Sequence, residues 1–415
     1  MRERTAEVES ELGRIRTDLY EEVGHSIQPK ERMASIGYQR ITAELCTRLS
    51  YRGAAEIINA IQHRKEEKTV KVCTMRDGIE RMGKKIRENI EESAGKILQT
   101  YGFDRETGKP QDGVSIESVM TAENSEWCRK KEIIGAAIDS VNATREEKIP
   151  ERAAEEEIES GPSVCVYVSI DEVGVKHQKI SRKAGVEKGA KYVENTVIHI
   201  QQGEDRYVLT APDMKQAMKS LLAFLLFNGL LHKKLIFFTD GARNIKNSIA
   251  DFFSFCPHRV ILDWFHLKKK CQELLSMALK GKDIRNKVLQ RLLRILWTGN
   301  VKGAVSYLET LDAAWIKDQK WLQEQIHYLL RKEDGIVCYA LRAHFGLRNS
   351  SNCVEKENDL LVAQRQKHNG MSWSVHGSCA LAALAMVFHN GYDDIWFRQG
   401  QISFFMPHQP LPVAS

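Results

Sequence analysis

Three acidic residues stand in settings that suit phosphoryl-transfer chemistry. Asp171 closes the strand-like run Ser163 to Ile170, and Asp240 closes a second, Leu235 to Thr239, with Gly241 behind it. Glu355 opens an amphipathic helical stretch, Val354 to Lys367. Two carboxylates at the ends of buried strands and one on a later helix are the parts of a two-metal phosphoryl-transfer site. Mg²⁺ takes oxygen ligands, with one or two carboxylates, water and phosphate completing its shell. A carboxylate just past a row of apolar residues is costly to leave unpaired, and a metal offsets that cost.

Neighbouring acids compete for these roles. Strand alternation turns Glu172 to the opposite face from Asp171. On the later helix, Glu355 and Asp359 are i,i+4 partners and Glu357 points away, so helical geometry alone places Glu355 only slightly ahead of Asp359. A further pair, Asp263 and His266, follows the strand Arg259 to Leu262. Three residues apart, they share a face once a helix has begun. His266 suits contact with a phosphate or leaving group, and Asp263 suits orienting it.

Basic residues gather beside this constellation. The segment 259–302 carries eleven Lys or Arg, among them Arg259, Lys268, Lys269 and Lys270, against three acids. The local excess is larger than the whole chain's +6, which points to a polyanionic partner. Arg365 and Lys367 flank the Glu355 helix, and Arg76 lies in an N-terminal helical segment. All seven are candidate DNA contacts. Trp373 offers a ring for stacking on a base, but packing against the next helix, Ser378 to His389, suits it better.

These residues need elements to position them. A chain of 415 residues exceeds one ordinary core, so several domains are expected. Residues 1–100 read as helical and as a DNA-binding or dimerisation domain. Within it Ile41 to Ser50, Tyr51 to Ile61 and Val72 to Gly83 suggest a helix-turn-helix, with Thr74 as N-cap. Residues 101–162 read as a linker with one helix around 122–140. The pattern then turns to strands and helices over 163–266: three meandering strands, a helix (Met214 to Leu231), the Asp240 strand, a helix (Asn244 to Phe253) and a strand. That is the order of a ribonuclease H-like mixed sheet. Residues 267–347 read as an all-helical insertion folding as a lobe of its own. Residues 348–392 return to the core with the third acid, and 393–415 form a tail. The fold expected is thus multidomain α and α/β.

Other features narrow the setting. The nine cysteines form no Cys-x-x-Cys pair, so reduced thiols and no structural zinc are expected. The charged opening, Met1 to Ala6, predicts no secretory leader. The longest apolar run, Leu221 to Phe227, is too short to span a membrane. A cytoplasmic protein follows.

In combination, Ser169-Ile-Asp-Glu-Val-Gly-Val175, Phe238-Thr-Asp-Gly-Ala242, Asp263-Trp-Phe-His266 and Val354-Glu-Lys-Glu with Arg365 to Ser374 resemble bacterial insertion-sequence transposases of the DDE type. The Asp-x-x-His mark is similar to that of Mutator-like elements. The resemblance covers about 165 to 390 and extends weakly to Leu49 to Glu56 and the Val72 segment. It implies Asp171, Asp240 and Glu355 as the metal triad for two Mg²⁺ or Mn²⁺ ions, and Asp263 and His266 as the accompanying pair. It implies binding of terminal inverted repeats, cleavage, joining of 3′-OH ends to target DNA, and a dimer or larger assembly. Where many relatives have a Gly-rich entry to the Glu helix, this chain has Asn349-Ser-Ser-Asn-Cys353. The alternatives are a catalytically silent DNA-binding regulator derived from such an enzyme, and a ribonuclease H-like nuclease or resolvase without strand transfer.

Overall fold

A computed structural model of the chain describes residues 6–10, 13–17, 35–62, 69–114, 127–178, 191–367 and 371–406. The earliest described segments, Ala6–Ser10 (β1) and Gly13–Thr17 (β2), pair as an antiparallel hairpin. This corrects the expectation of helix throughout residues 1–100. The reason is legible: both segments alternate polar and apolar residues with period two, and Val8 pairs with Ile15.

Three helices follow: Ile36–Arg48 (α1), Tyr51–Ile61 (α2) and Val72–Thr100 (α3). The Ser35 and Ser50 hydroxyls cap the first two, accepting from Tyr38 N–H (3.2 Å) and Gly53 N–H (3.0 Å). Thr74 does not cap α3. Lys71 holds that position, and Thr74 lies inside the first turn. Nor does α3 stop at Gly83. It runs on through a buried stripe of Met75, Ile79, Ile86, Ile90, Ala94 and Leu98 that joins the main core. The N-terminal helices therefore share a core with the central sheet.

Gly83 is where α3 meets the helix Val375–His389. A Cβ there would lie 2.5 Å from Ala380 Cα. Gly83→Val is expected to force the two helices apart and to cost roughly 3 kcal/mol, the upper end for over-packing. A thermal or urea melt checks this, and an unchanged midpoint would refute it.

Beyond the helix Lys131–Ala143 (α4) lies a five-stranded sheet: Cys165–Lys176 (β3), Tyr192–Gln202 (β4), Asp205–Ala211 (β5), Lys234–Thr239 (β6) and His258–Leu262 (β7). Its order is β5-β4-β3-β6-β7. The first three strands form an antiparallel meander, and β6 and β7 add in parallel. The helices Met214–Phe227 (α5) and Arg243–Phe253 (α6) make the parallel crossovers.

Alternate side chains of each central strand feed two separate cores. Val166, Val168, Leu235 and Phe237 face the core shared with α3, α5 and Val375–His389. Cys165, Tyr167, Ile236 and Phe238 face a second core. That second core is built by Trp264–Ala278 (α7), Lys282–Trp297 (α8), Val301–Glu309 (α9) and Gln319–Arg331 (α10). The helical insertion is thus not an independent lobe. It covers one face of the sheet, because strands buried on both sides need a second layer. The short helix Tyr339–His344 (α11) leads back to the sheet and packs on α4. None of the nine cysteines is bonded to another. No described helix is long and apolar enough to cross a membrane.

Candidate active site

The register of the sheet brings two of the acids together. The last parallel pair between β3 and β6 is Ser169 with Phe238. Two residues beyond that pair stand Asp171, still within β3, and Asp240, just past the end of β6, near enough that the charge of Asp240 acts on Asp171. Asp171 does not end its strand, as expected from the sequence. β3 continues to Lys176, because β4 pairs with it through Asp171–Val197 and on to Lys176–Tyr192. Asp240 begins the turn into α6. It accepts the Ala242 N–H at 2.7 Å, and Gly241 beside it has a φ of 84°, which glycine adopts without strain.

The third acid arrives on Asn352–Asn358 (α12), which continues as a π-helical turn, Asp359–Ala363, and the short helix Gln364–Gln366 (α13). Such wider turns recur at functional sites. Glu355 stands 3.7 Å from His266 Nε2. Asp359 accepts instead from Gln364 Nε2 at 2.8 Å. Glu357 is buried and lies between His199 (3.5 Å) and His389 (2.9 Å). Burial opposes its charge, but the two histidines outweigh that and hold its pKa at about 2. Burial lowers the pKa of His199 below the usual imidazole value, against the opposing pull of Glu357. Of the three acids on this segment, Glu355 is the one beside His266.

Asp263 ties these pieces together. It is fully buried and N-caps α7, accepting His266 N–H at 2.8 Å, and it lies 3.2 Å from His266 Nδ1. Its other oxygen accepts the Ser351 N–H and the Ser351 hydroxyl, the latter at 2.9 Å. Burial works to raise its pKa, but the bonds from His266 and Ser351 outweigh it and the carboxyl stays below its usual range. Asp263 therefore fixes both the imidazole and the entry to the Glu355 helix. Ser351 stands at the entry to the Glu355 helix, and its hydroxyl supplies this bond to Asp263.

The electrostatics follow from this crowding. Burial raises Asp171 to about 6; the Glu172 N–H, at 2.8 Å, opposes the rise, while the charges of Asp240 and Glu355 add to it. His266 is raised above the usual imidazole value, first by its bond to Asp263 and further by Glu355 and Asp240. Asp171 is an acid whose folded pKa lies above its unfolded one. Its ionisation thus opposes folding increasingly as pH rises from about 4 to about 6, and fully above that. Asp171→Asn is expected to raise stability at pH 7 by on the order of 1–2 kcal/mol and to make little difference below about pH 4. Urea melts at the two pH values test this; a loss of stability at pH 7 would refute it.

The donor set is oxygen-rich, the kind a hard cation takes. Among the described residues, no group of three His, Cys, Asp or Glu is arranged to hold a metal ion as it stands. Asp171 Oδ2 accepts from Asn358 Nδ2 at 2.6 Å, and Asp240 is engaged by its own turn. Asn358 Oδ1, however, is buried with no hydrogen-bond donor. An acceptor oxygen beside Asp171 is left for a cation or water to satisfy. The residues fit a divalent cation in the chemistry of their oxygen donors, not in a ready-made arrangement.

The candidate DNA contacts divide. Lys268, Lys269 and Lys270 are exposed on α7, with Lys270 3.6 Å from Glu273. Lys367 is exposed. Arg76 is exposed and bonds Asp77 at 2.8 Å. Arg365 is misplaced by the sequence reading. It is 2% exposed, donates to the Cys46 carbonyl at 2.9 Å, and lies about 5 Å from the rings of Tyr51 and Trp373. Trp373 is itself buried and donates to the Gln366 carbonyl. Arg259 is likewise engaged, by Glu156 at 3.0 Å and the Glu157 carbonyl. Both arginines hold protein to protein. Sequence reasoning missed Ser351 and Asn358. The only signal for Asn358 was its place three residues after Glu355, which gives no hint of its partner on β3.

No protein-family model matches the chain, and no curated protein matches it.

Proposed function

We propose that the chain is a DNA transposase of the DDE type, built on a ribonuclease H-like core. It binds the terminal inverted repeats of its element, cuts there, and joins the freed 3′-OH ends to target DNA. The observation that carries this reading is the convergence of Asp171, Asp240 and Glu355 on one sheet edge, with His266 among them. The strand order β5-β4-β3-β6-β7, with only β4 antiparallel to its central neighbours, supports it.

In this reading Asp171, Asp240 and Glu355 would hold two Mg²⁺ or Mn²⁺ ions, which would supply Lewis-acid activation of water and charge stabilisation at the leaving 3′ oxygen. His266, held by Asp263 and raised above the usual imidazole value, offers an N–H and a positive charge to a phosphate oxygen when protonated. Strand transfer is an in-line attack by the 3′-OH on a target phosphodiester, so the protein needs no nucleophile of its own. Lys268, Lys269 and Lys270 on the exposed side of α7, with Lys367, suit the DNA backbone. Pairing two element ends calls for a homodimer or larger assembly on DNA.

The test is cleavage of labelled DNA carrying the repeats that flank the chain's own gene, with Mg²⁺ or Mn²⁺. Metal-dependent cuts at the repeat boundary, followed by joining to a second duplex, are expected. Tight end binding with no cutting in either metal would instead mean a silent regulator. Cutting of any duplex without end preference would mean a nuclease.

A further inference from the structure

Lys332 is a cation at the site that the triad reading leaves without a role. It follows α10, where its N–H caps the helix on the Tyr328 carbonyl at 3.1 Å. Its side chain crosses the sheet edge to the Asp240 turn. The stem lies over Gly241 at ordinary van der Waals range, where a Cβ would stand 3.5 Å from Lys332 Cε. Its Nζ donates to the Gly241 carbonyl, next in sequence to Asp240. The insertion thus delivers an amine to the candidate catalytic turn itself.

The partners of this amine leave it incomplete. An ammonium has three N–H donors and one full charge. The bond to Gly241 uses one donor and is made to a neutral oxygen. Among the described residues, Lys332 has no ion pair with a carboxylate within 4 Å. Three other basic residues near the sheet have carboxylate partners: Lys246 with Asp334 at 3.4 Å, Arg259 with Glu156, and Arg342 with Glu159. Lys332 is half-buried, and the charge of Asp240 acts on it only from beyond ion-pair distance, so its removal from water is incompletely offset. A phosphate oxygen lying against the Asp240 side of the site would supply both the charge and the acceptors. Lysine binds phosphate in this way, as a point charge on a flexible stem.

We propose that Lys332 contacts a backbone phosphate of the DNA strand lying across the Asp240 turn, so that the helical insertion contributes a substrate contact as well as a cover for the sheet. This rests on the reading of the chain as a DNA-cutting enzyme. Its alternative is a latch, in which Lys332 serves only to hold Gly241 in place.

Salt dependence separates the two. Binding of a fluorescent duplex carrying the gene-flanking repeat is measured over a NaCl series in EDTA, for wild type, Lys332→Gln and Lys332→Arg. One lost phosphate contact is expected to reduce the slope of log K against log salt by about 0.9 in Lys332→Gln, with recovery in Lys332→Arg. A slope unchanged in Lys332→Gln, with only a lower melting temperature, would leave Lys332 a latch and overturn the proposal. If Lys332→Gln does not fold, amine acetylation of the wild type read by mass spectrometry replaces it. DNA is expected to protect Lys332; equal labelling with and without DNA would overturn the contact. Should wild type cut repeat DNA while these Lys332 results fail, this contact alone is wrong. Should wild type neither bind nor cut DNA, the parent reading falls with it.

Discussion

Asp240→Asn is expected to lower metal-dependent DNA cleavage by on the order of a thousand-fold or more while leaving the protein at least as stable. The amide is isosteric with the carboxylate, and its oxygen keeps the 2.7 Å bond from Ala242 N–H, so the turn into α6 survives. What disappears is one negative charge beside Asp171 and Glu355. Two consequences separate this loss from misfolding. The first lies in Asp171: burial, the larger cause of its raised pKa, remains, but the push from Asp240 is gone. Its carboxyl carbon, followed by NMR in the metal-free protein, should titrate below its wild-type value of about 6. The second lies in binding. Repeat DNA should still bind in EDTA, because the exposed lysines on α7 are untouched. Cleavage that survives the substitution would remove Asp240 from the catalytic set; lost binding with a lower melting temperature would make it structural.

How much of this arrangement was legible in the sequence depends on the distance over which each residue finds its partners. β6, α6 and β7 are legible because their signals are local: an unbroken apolar run ending in Asp-Gly, an amphipathic helix, and a short β-branched run. β3 was cut short at Asp171 because the strand-like run from Ser163 to Ile170 stops there. Pairing with β4 through ten residue pairs, Tyr167–Gln201 to Lys176–Tyr192, carries the strand past that point. β1 and β2 were hidden by their surroundings rather than by their own pattern.

The site divides in the same way. The carboxylates were visible because strand ends and a helix start leave a local mark. The choice of Glu355 over Asp359 was not, since α-helical spacing pairs them. It turns on His266 approaching from α7, and on Asp359 opening a π-turn where it binds Gln364. Arg365 looked like a DNA contact because it stands beside exposed Lys367 in sequence. Its partners, the Cys46 carbonyl and Tyr51, come from N-terminal helices more than 300 residues earlier. Sequence spacing cannot register contacts of that length, and the independent lobe expected for the insertion failed for the same reason.

Arg342→Met is expected to destabilise the fold by about 3–5 kcal/mol, the usual cost of breaking a buried pair by removing one partner. Arg342 and Glu159 are each 1% exposed and bond in a two-pronged geometry, Nη1 to Oε2 at 2.7 Å and Nη2 to Oε1 at 2.6 Å. Tyr167 on β3 adds a hydroxyl to the same carboxylate at 3.2 Å. Burial would raise Glu159, but Arg342 outweighs it and keeps the acid below its usual range. Without Arg342 that carboxylate is buried with one neutral partner, and burial then favours its protonated form. The sign of the pH dependence follows. In wild type the pair's contribution is present above the unfolded pKa of about 4.5 and is lost as pH falls through the depressed folded value. In Arg342→Met the dependence reverses, so the variant's deficit should be largest near pH 7 and should narrow towards pH 4. Adding Glu159→Leu should return much of the stability, since an apolar pair avoids stranding a charge. Activity should not return with it. Arg342 also donates to the Arg348 carbonyl at 2.8 Å, at the start of the segment that leads through Ser351 to Glu355. The double variant should therefore melt near wild type yet cut DNA more slowly, which urea melts and single-turnover cleavage would measure side by side. Full recovery of both would show that the pair has no hold on the third acid.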